Sequence, residues 1–199
     1  YKPSNGEWQA RSGNGTSSNS NVLTHTYTLT QSTWYHVCFT RDDSTNVTKF
    51  YINGSLQDTE TVSVSSSYPS GATGVIGDLN YSAGLNYNWL GEIDQVRIFN
   101  KALSSSEVSK LYGNGAGEIA CAYTSTTDNI ALPITNTAYY KLDNDSKDSA
   151  RSTGKFNEGA IFNGSSSKIT LPSIPGLPSN SNNTNDFTFS CWVRSTTTR

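Results

Sequence analysis

The sequence predicts an all-β protein: a two-sheet antiparallel β-sandwich of the jelly-roll type with one short helix. Short segments alternate apolar and polar residues, as strands with one buried face do. Ser, Thr, Asn and Gly are abundant, and only 34% of the residues are hydrophobic and 15% charged, which suits turn-rich β-proteins better than helical bundles. Asn-Gly pairs provide the positive-φ residues that tight hairpin turns need.

The predicted strands follow one another along the chain. They share period-two alternation and lie in 21–30, 34–40, 47–64 (a hairpin with its turn at Asn53-Gly54), 72–80, 88–100, 159–172 (a hairpin candidate with Asn163-Gly164) and 185–194. In WYHVCFT, Tyr35, Val37 and Phe39 share one face, and Trp34 and His36 lie on the other. Many short strands joined by polar turns predict the sandwich rather than a parallel sheet.

One helix is predicted, in the segment LSSSEVSKLYG. Ser104 is a suitable N-cap, and Glu107 three residues later completes a capping box. Gly113 is a suitable stop because glycine readily adopts the left-handed conformation that ends helices. Val108 and Leu111 give the helix a small apolar stripe.

These segments resemble a known family. TWYHVCFTRDDSTNVTKFYINGSLQDT, GVIGD and WLGEIDQVRIFNKALSSSEVSKLY resemble the second half of a laminin-G-like (LamG) module of the concanavalin A-like lectin/glucanase superfamily, and AYYKLDNDSKDS, GKFNEGAIFNGSSSKITLP and FTFSCWVR resemble its first half. We therefore predict that residues 1–113 form a second half, 114–138 a linker and 139–199 a first half. The reversed order has two explanations: a window cut from a tandem array, or one circularly permuted sandwich, which nearby termini would tolerate.

The resemblance implies a role and a location. Tandem LamG modules in this Ser/Thr/Asn-rich style are found mostly in surface proteins of marine bacteria and structural proteins of their phages, which implies an extracellular, cell-surface or virion location. The expected function is glycan binding or adhesion to a cell-surface polysaccharide. The alternative is a structural assembly module of a fibre, filament or phage particle, with neighbouring copies as partners. The net charge of −2 gives no electrostatic reason to expect nucleic acid, and no apolar run approaches the roughly 20 residues of a membrane span.

Glu92 and Asp94 raise the question of catalysis. Family 16 glycoside hydrolases share this type of sandwich and carry Glu-x-Asp followed, one or two residues later, by a second Glu. Retaining hydrolysis needs the two outer carboxyl groups about 5–5.5 Å apart beneath one glycosidic bond. Here the third position falls on Val96 or, with a bulge, on Arg97, and neither can act as the acid or base. We predict that the chain is not an enzyme.

Asp94 is also a candidate metal ligand. Its phase matches that of Val96 and Ile98, so we expect it to point into the core, where a carboxylate needs partners. Backbone N–H groups of a neighbouring turn could hold it. Alternatively, as the LamG resemblance implies, it is a ligand of a structural Ca²⁺ completed by carbonyls near Asn163 and Gly164, since Ca²⁺ takes six to eight oxygen ligands.

A third set of residues suggests sugar binding. Aromatic and polar side chains fall in the phase opposite to the apolar faces of their strands, and aromatic rings with hydrogen-bonding groups are typical of small-molecule sites. The candidate ligand-binding residues are Trp34, His36, Arg97, Trp192 and Arg194 on this strip, with Tyr81 and Tyr87 in the neighbouring loop. The alternative is that the tryptophans pack beneath loops or a neighbouring molecule.

Overall fold

The fold is organised around one large antiparallel sheet. The computed structural model describes residues 7–13, 20–61, 74–78, 88–113, 138–140, 142, 151–153, 155, 158–171 and 186–196. The strands are β1 (Glu7–Gly13), β2 (Ser20–Thr26), β3 (Trp34–Asp42), β4 (Val47–Ile52), β5 (Ser55–Thr61), β6 (Val75–Ile76), β7 (Leu90–Phe99), β8 (Ala138–Tyr140), β9 (Arg151–Thr153), β10 (Glu158–Asn163), β11 (Ile169–Thr170) and β12 (Phe187–Ser195), and the helix is α1 (Ser105–Tyr112). The large sheet has the order β5-β4-β3-β12-β7-β10-β9, with β8 also paired to β7, while β1-β2 and β11-β6 form two small sheets.

Alternation along the strands divides the large sheet into two faces. Tyr35 and Val37 of β3 belong to the main hydrophobic core. Cys38 belongs to a second cluster that includes residues of α1. We call the side of the large sheet that carries Tyr35 and Val37 the apolar face, and the side that carries Cys38 the polar face. Both small sheets cover the apolar face, because Trp8 of β1 and Ile76 of β6 are part of the main core. The predicted antiparallel all-β sandwich is therefore confirmed.

β12, the last described strand of the chain, lies between β3 and β7, which both precede α1 in the sequence. Phe189 is the Cα partner of Phe39 in β3 and of Ile98 in β7, and Val193 completes the main core. The predicted boundaries of the linker stay a prediction, since residues 114–137 lie outside the described part of the chain.

The predicted helix is confirmed with both of its caps. The Ser104 side chain accepts a hydrogen bond from the backbone N–H of Glu107, and the Glu107 carboxylate accepts one from the Ser104 backbone N–H. Gly113 ends the helix in the left-handed conformation, with φ 79° and ψ 32°. Val108 and Leu111 are buried against the polar face. Among the described residues no helix is long and apolar enough to cross a membrane.

Of the two predicted hairpins, one forms and the other does not. Asn53 and Gly54 have φ of 50° and 74° and join β4 to β5 as predicted. β10 and β11 do not pair with each other: β10 pairs with β7 and β9, and β11 pairs with β6. In the turn between β10 and β11, Asn163 Oδ1 accepts hydrogen bonds from the backbone N–H groups of residues 165–167 at 2.9–3.0 Å. This turn accompanies the passage of the chain to the opposite layer.

Gly91 in β7 is a position where only glycine fits. Its φ is 140°, and a Cβ added there would lie 2.0 Å from the carbonyl oxygen of Arg194 in β12. We expect Gly91→Ala to lower the free energy of unfolding by at least about 2 kcal/mol, because backbone strain and overpacking add. Urea denaturation measures this. The matched control is Gly74→Ala, whose Cβ has its three nearest contacts with the Leu171 side chain, the closest with Cδ1 at 3.2 Å. A free energy of unfolding for Gly91→Ala within about 0.5 kcal/mol of the wild-type value would contradict the claim that only glycine fits at position 91.

Candidate functional site

Cross-strand pairing on the polar face brings the predicted strip together. Trp192 of β12 lies opposite His36 of β3 and Asp94 of β7, and Arg194 lies opposite Trp34 and Glu92. Directly opposed residues of antiparallel strands point to the same side of a sheet. Two residues before Trp192 in β12, Ser190 is paired with Arg97. All five strip residues predicted as ligand contacts therefore share one face: Trp34, His36, Arg97, Trp192 and Arg194.

A β-bulge changes the prediction for Asp94. Gln95 has a φ of 54°, and the register between β12 and β7 shifts between Ser190 and Trp192. A bulge places two residues opposite one and so reverses the phase beyond it. Asp94 therefore shares the polar face with Arg97, whereas Val96 belongs to the main core. The expectation that Asp94 points into the core in phase with Val96 is wrong. It is fully buried, but on the other face.

The bulge also decides which residue occupies the third position of the Glu-x-Asp pattern. Of the two sequence alternatives, Val96 faces the core and Arg97 shares the face of Glu92 and Asp94. Arg97 donates a hydrogen bond from Nη2 to Gln95 Oε1 at 3.4 Å. A guanidinium stays protonated in proteins and can act neither as a general base nor as a general acid. The carboxylate pattern thus lacks its third member at the residue where geometry would require it.

His36 lies at the centre of an aromatic cluster. Its ring centroid is 5.4 Å from that of Trp192 and 6.0 Å from that of Tyr112 in α1, and the latter two are 5.6 Å apart. Burial, and secondarily the charge of Arg97, lowers the pKa of His36 from 6.5 to about 3. The imidazole is therefore neutral near pH 7. Among the described residues, none hydrogen-bonds its buried Nδ1 atom.

Glu92 is held by a bidentate ion pair with Arg194. Arg194 Nε donates to Glu92 Oε2 at 3.0 Å, and Nη2 donates to Oε1 at 2.8 Å. The hydrogen bond to Glu92 raises the pKa of Arg194. The same guanidinium lies 5.1 Å from the ring centroid of Trp34, and the exposed Lys155 lies 4.8 Å from that of Trp192. We call Trp34, Glu92, Lys155 and Arg194 the terminal patch.

The polar face is covered by α1 over its middle and is partly accessible at the end where Trp34 lies. Leu111 and Tyr112 of α1 lie over its middle, and beneath them a cavity of about 10 Å³ has room for roughly one water molecule. Its walls are His36, Gln95, Arg97, Leu111, Ser190 and Trp192. Exposure rises along β3 from 1% at His36 to partial exposure at Trp34. The predicted strip is therefore only partly open, and its accessible end is the terminal patch.

The two tyrosines predicted as further contacts, Tyr81 and Tyr87, lie outside the described residues. Sugar binding by the whole predicted set stays a prediction. Two residues near it were not expected from the sequence. Tyr112 follows Val108 by four residues on the helix, a spacing that would have indicated the same face. Lys155 belongs to a polar segment without periodicity, and nothing in the sequence pairs it with Trp192.

The three predicted calcium ligands are not brought together. Asn163 is the partner of Leu90 in β7, four residues from Asp94, which is about 13 Å along a strand. The Asn163 side-chain oxygen already accepts three backbone hydrogen bonds in its turn. Asp94, Asn163 and Gly164 therefore do not fit one Ca²⁺ site. Among the described residues, no group of three or more His, Cys, Asp or Glu side chains is placed to hold a metal ion. Structural calcium as a cofactor of this chain stays a prediction from the resemblance.

Comparison with known proteins gives a family and no close relative. The laminin G family model described as "Concanavalin A-like lectin/glucanases superfamily" matches residues 1–109, more than half of the chain. No curated protein and no solved structure matches the chain significantly. The matched region includes β3, β7 and the first five of the eight residues of α1. It ends before β12, the strand that supplies Trp192 and Arg194.

Proposed function

Because this chain belongs to the concanavalin A-like lectin/glucanases superfamily, we propose that it is a non-catalytic module that binds carbohydrate through the terminal patch. The observation that carries the proposal is the partly exposed Trp34 ring beside the Arg194 guanidinium, at the end of the polar face that α1 leaves accessible. Such a module would act on a cell surface or a virion, where polysaccharide is the available ligand.

Three features support the absence of catalysis. Arg97 stands where a glycosidase of this fold would carry its second glutamate. Both oxygens of the Glu92 carboxylate accept hydrogen bonds from Arg194, so neither is free to attack a sugar carbon. Asp94 is fully buried. Retaining hydrolysis needs two carboxyl groups about 5–5.5 Å apart on either side of the glycosidic bond, and both carboxyl groups of this pattern, Glu92 and Asp94, are buried.

The chemistry of the patch suits a sugar ring. Aromatic rings stack on the apolar faces of sugars, while charged and amide groups take the hydroxyls. Trp34 offers the ring, held in place because the Arg194 fork is fixed by two hydrogen bonds to Glu92. The Lys155 ammonium over Trp192 adds an exposed donor nearby. A polysaccharide carrying hydroxyl or carboxylate groups is therefore the expected class of ligand.

A glycan array followed by titration calorimetry with the best-bound saccharide tests this proposal. We expect Trp34→Ala to weaken binding about tenfold, or about 1.4 kcal/mol, and Trp34→Phe to retain most of it. The control is Leu56→Ala, which removes an exposed apolar side chain on the edge strand β5, two strands away from the β3 strand that carries Trp34. Unchanged binding by Trp34→Ala would move the site elsewhere. Hydrolysis of laminarin or agar, abolished by Glu92→Gln, would overturn the non-catalytic assignment.

A structural role is the second candidate. It is favoured by the burial of His36, Arg97 and Trp192 beneath α1, which leaves only a small part of the predicted strip accessible to a ligand. In that case the polar face stabilises the sheet and helix, and the module serves as a spacer or assembly unit of a larger particle. An empty glycan array with folded protein would favour this role.

A further inference from the structure

The strands after residue 137 depend on the strands before residue 114. We call residues 138–196 the donor segment and residues 7–113 the acceptor segment. Donor strands β8, β10 and β12 pair with β7, β12 also pairs with β3, and β11 pairs with β6. Within the described part of the donor segment, the one internal strand pairing is between β9 and β10.

The acceptor segment depends on the donor segment in return. Among the described strands, β7 pairs only with β8, β10 and β12, so none of its partners belongs to the acceptor segment. Without β12, the facing edges of β3 and β7 would have no strand between them. Unpaired backbone N–H and C=O groups in a protein interior are costly. The main core would also lose Val193 and Cys191. The described strands of either segment do not make a complete sandwich without those of the other.

The side-chain contacts between the segments are specific and mutual. Arg194 of the donor forms its bidentate pair with Glu92 of the acceptor. Thr188 Oγ1 donates to the Lys101 carbonyl at 2.7 Å and accepts from the Leu103 backbone N–H at 3.0 Å. Asp186 Oδ1 accepts from the Asp43 backbone N–H at 2.9 Å. Every one of these bonds joins the donor segment to the acceptor segment. None of them requires the two segments to belong to the same chain.

The covalent connection is long enough for either arrangement. Residues 114–137 separate the segments, and 24 residues can span at most about 80 Å. The matched family region ends at residue 109, before the donor segment begins. An acceptor segment can therefore receive its donor strands from its own chain or from a neighbour through identical contacts.

We propose that copies of this chain assemble by exchange of the donor segment, so that residues 138–196 of one copy complete the sheet of residues 7–113 of a second copy. Reciprocal exchange gives a closed dimer, and head-to-tail exchange gives an open filament. Because the contacts made within one chain and between chains are the same, protein concentration during folding selects between monomer and assembly. This inference is independent of carbohydrate binding.

The first experiment mixes two full-length versions of the chain with different affinity tags. They are unfolded in denaturant together and refolded at high or at low protein concentration. We expect assemblies that carry both tags after refolding at high concentration and monomers after refolding at low concentration, measured by tandem affinity capture and light scattering. Absence of doubly tagged assemblies at every concentration would overturn the proposal.

The second experiment separates strand exchange from association through another surface. Val96→Asp damages β7 of the acceptor and Val193→Asp damages β12 of the donor, two positions buried in the main core. Co-refolding these two full-length variants should restore β-sheet circular dichroism and Trp fluorescence to about half the wild-type signal, since one of two sandwiches in each exchanged dimer is intact. The matched control mixes Val96→Asp with Ile93→Asp, both in the acceptor. Recovery no greater than in this control would overturn the proposal, even if doubly tagged assemblies form.

Discussion

Arg41→Met is expected to lower the free energy of unfolding by about 3–5 kcal/mol, as removal of one partner from a buried ion pair does. Arg41 of β3 is fully buried. Its Nη2 and Nε atoms lie 3.0 and 3.3 Å from Asp43 Oδ1, and its Nη groups also donate to the backbone oxygen and side chain of Asn46. Without the guanidinium, the Asp43 carboxylate would remain buried without its cation. The loss should therefore exceed that of a surface ion pair.

Urea denaturation of four variants tests this expectation. Lys101→Met is the matched control, because it removes the same kind of charge from an exposed pair with Glu107 at 2.8 Å, and such pairs contribute at most about 1 kcal/mol. Asp43→Asn and the double variant Arg41→Met/Asp43→Asn complete a mutant cycle. The double variant should be less destabilised than the sum of the single variants, because the unpaired charge is gone. Equal losses for Arg41→Met and Lys101→Met would contradict the buried-pair interpretation.

Acid is expected to destabilise the wild-type protein more steeply than a His36→Phe variant. An unfolded histidine takes up a proton near its ordinary pKa of 6.5, whereas burial holds the pKa of folded His36 at about 3. Between these values the unfolded state binds one more proton than the folded state at this residue. The contribution of His36 to stability is therefore fully present above pH 6.5 and is lost as the pH falls toward 3. The expected difference in slope is about 1.4 kcal/mol per pH unit.

Stability curves in urea at several pH values between 6.5 and 4.5 measure this difference. Carboxylates that titrate in the same range affect both proteins alike, so the difference between wild type and His36→Phe isolates the histidine. The phenyl ring can keep the packing with Trp192 and Tyr112, which limits the change in the core. Parallel curves would show that His36 becomes protonated while the protein is folded. An NMR titration of the His36 ring between pH 5 and 8 should then show a midpoint, whereas our assignment expects none.

The sequence predicted most of the individual elements because their causes are local. Alternation located β3, β4, β7 and β12, since a strand with one buried face must alternate. Side-chain oxygens at Ser104 and Glu107 satisfied the helix start, and Gly113 adopted the backbone conformation that L side chains avoid. Sequence resemblance then supplied the family, which the match over residues 1–109 shows. These signals lie within a few residues of the structure that they determine.

The candidate site was predicted less well, because its geometry depends on partners distant in the chain. The prediction that Asp94 points to the apolar face was wrong, because Gln95 has a positive φ where the register between β12 and β7 shifts. The hairpin at Asn163 was wrong because β11 has its partner in β6, almost a hundred residues earlier. The strip on the polar face was correctly assembled, but its partial cover by Tyr112 follows from how α1 packs on the sheet.

By itself, the sequence determined which segments are strands, where the helix begins and ends, and that the third carboxylate of a glycosidase pattern is missing. Hydrophobic period, capping chemistry and residue type are properties of short segments. Only the tertiary structure decided that Arg97 is the residue beside Glu92 and Asp94, that Arg194 holds the Glu92 carboxylate, and that β12 lies between β3 and β7. These outcomes depend on register and on side chains about a hundred residues apart, and strand pairing follows the free energy of the whole sheet rather than that of any one strand.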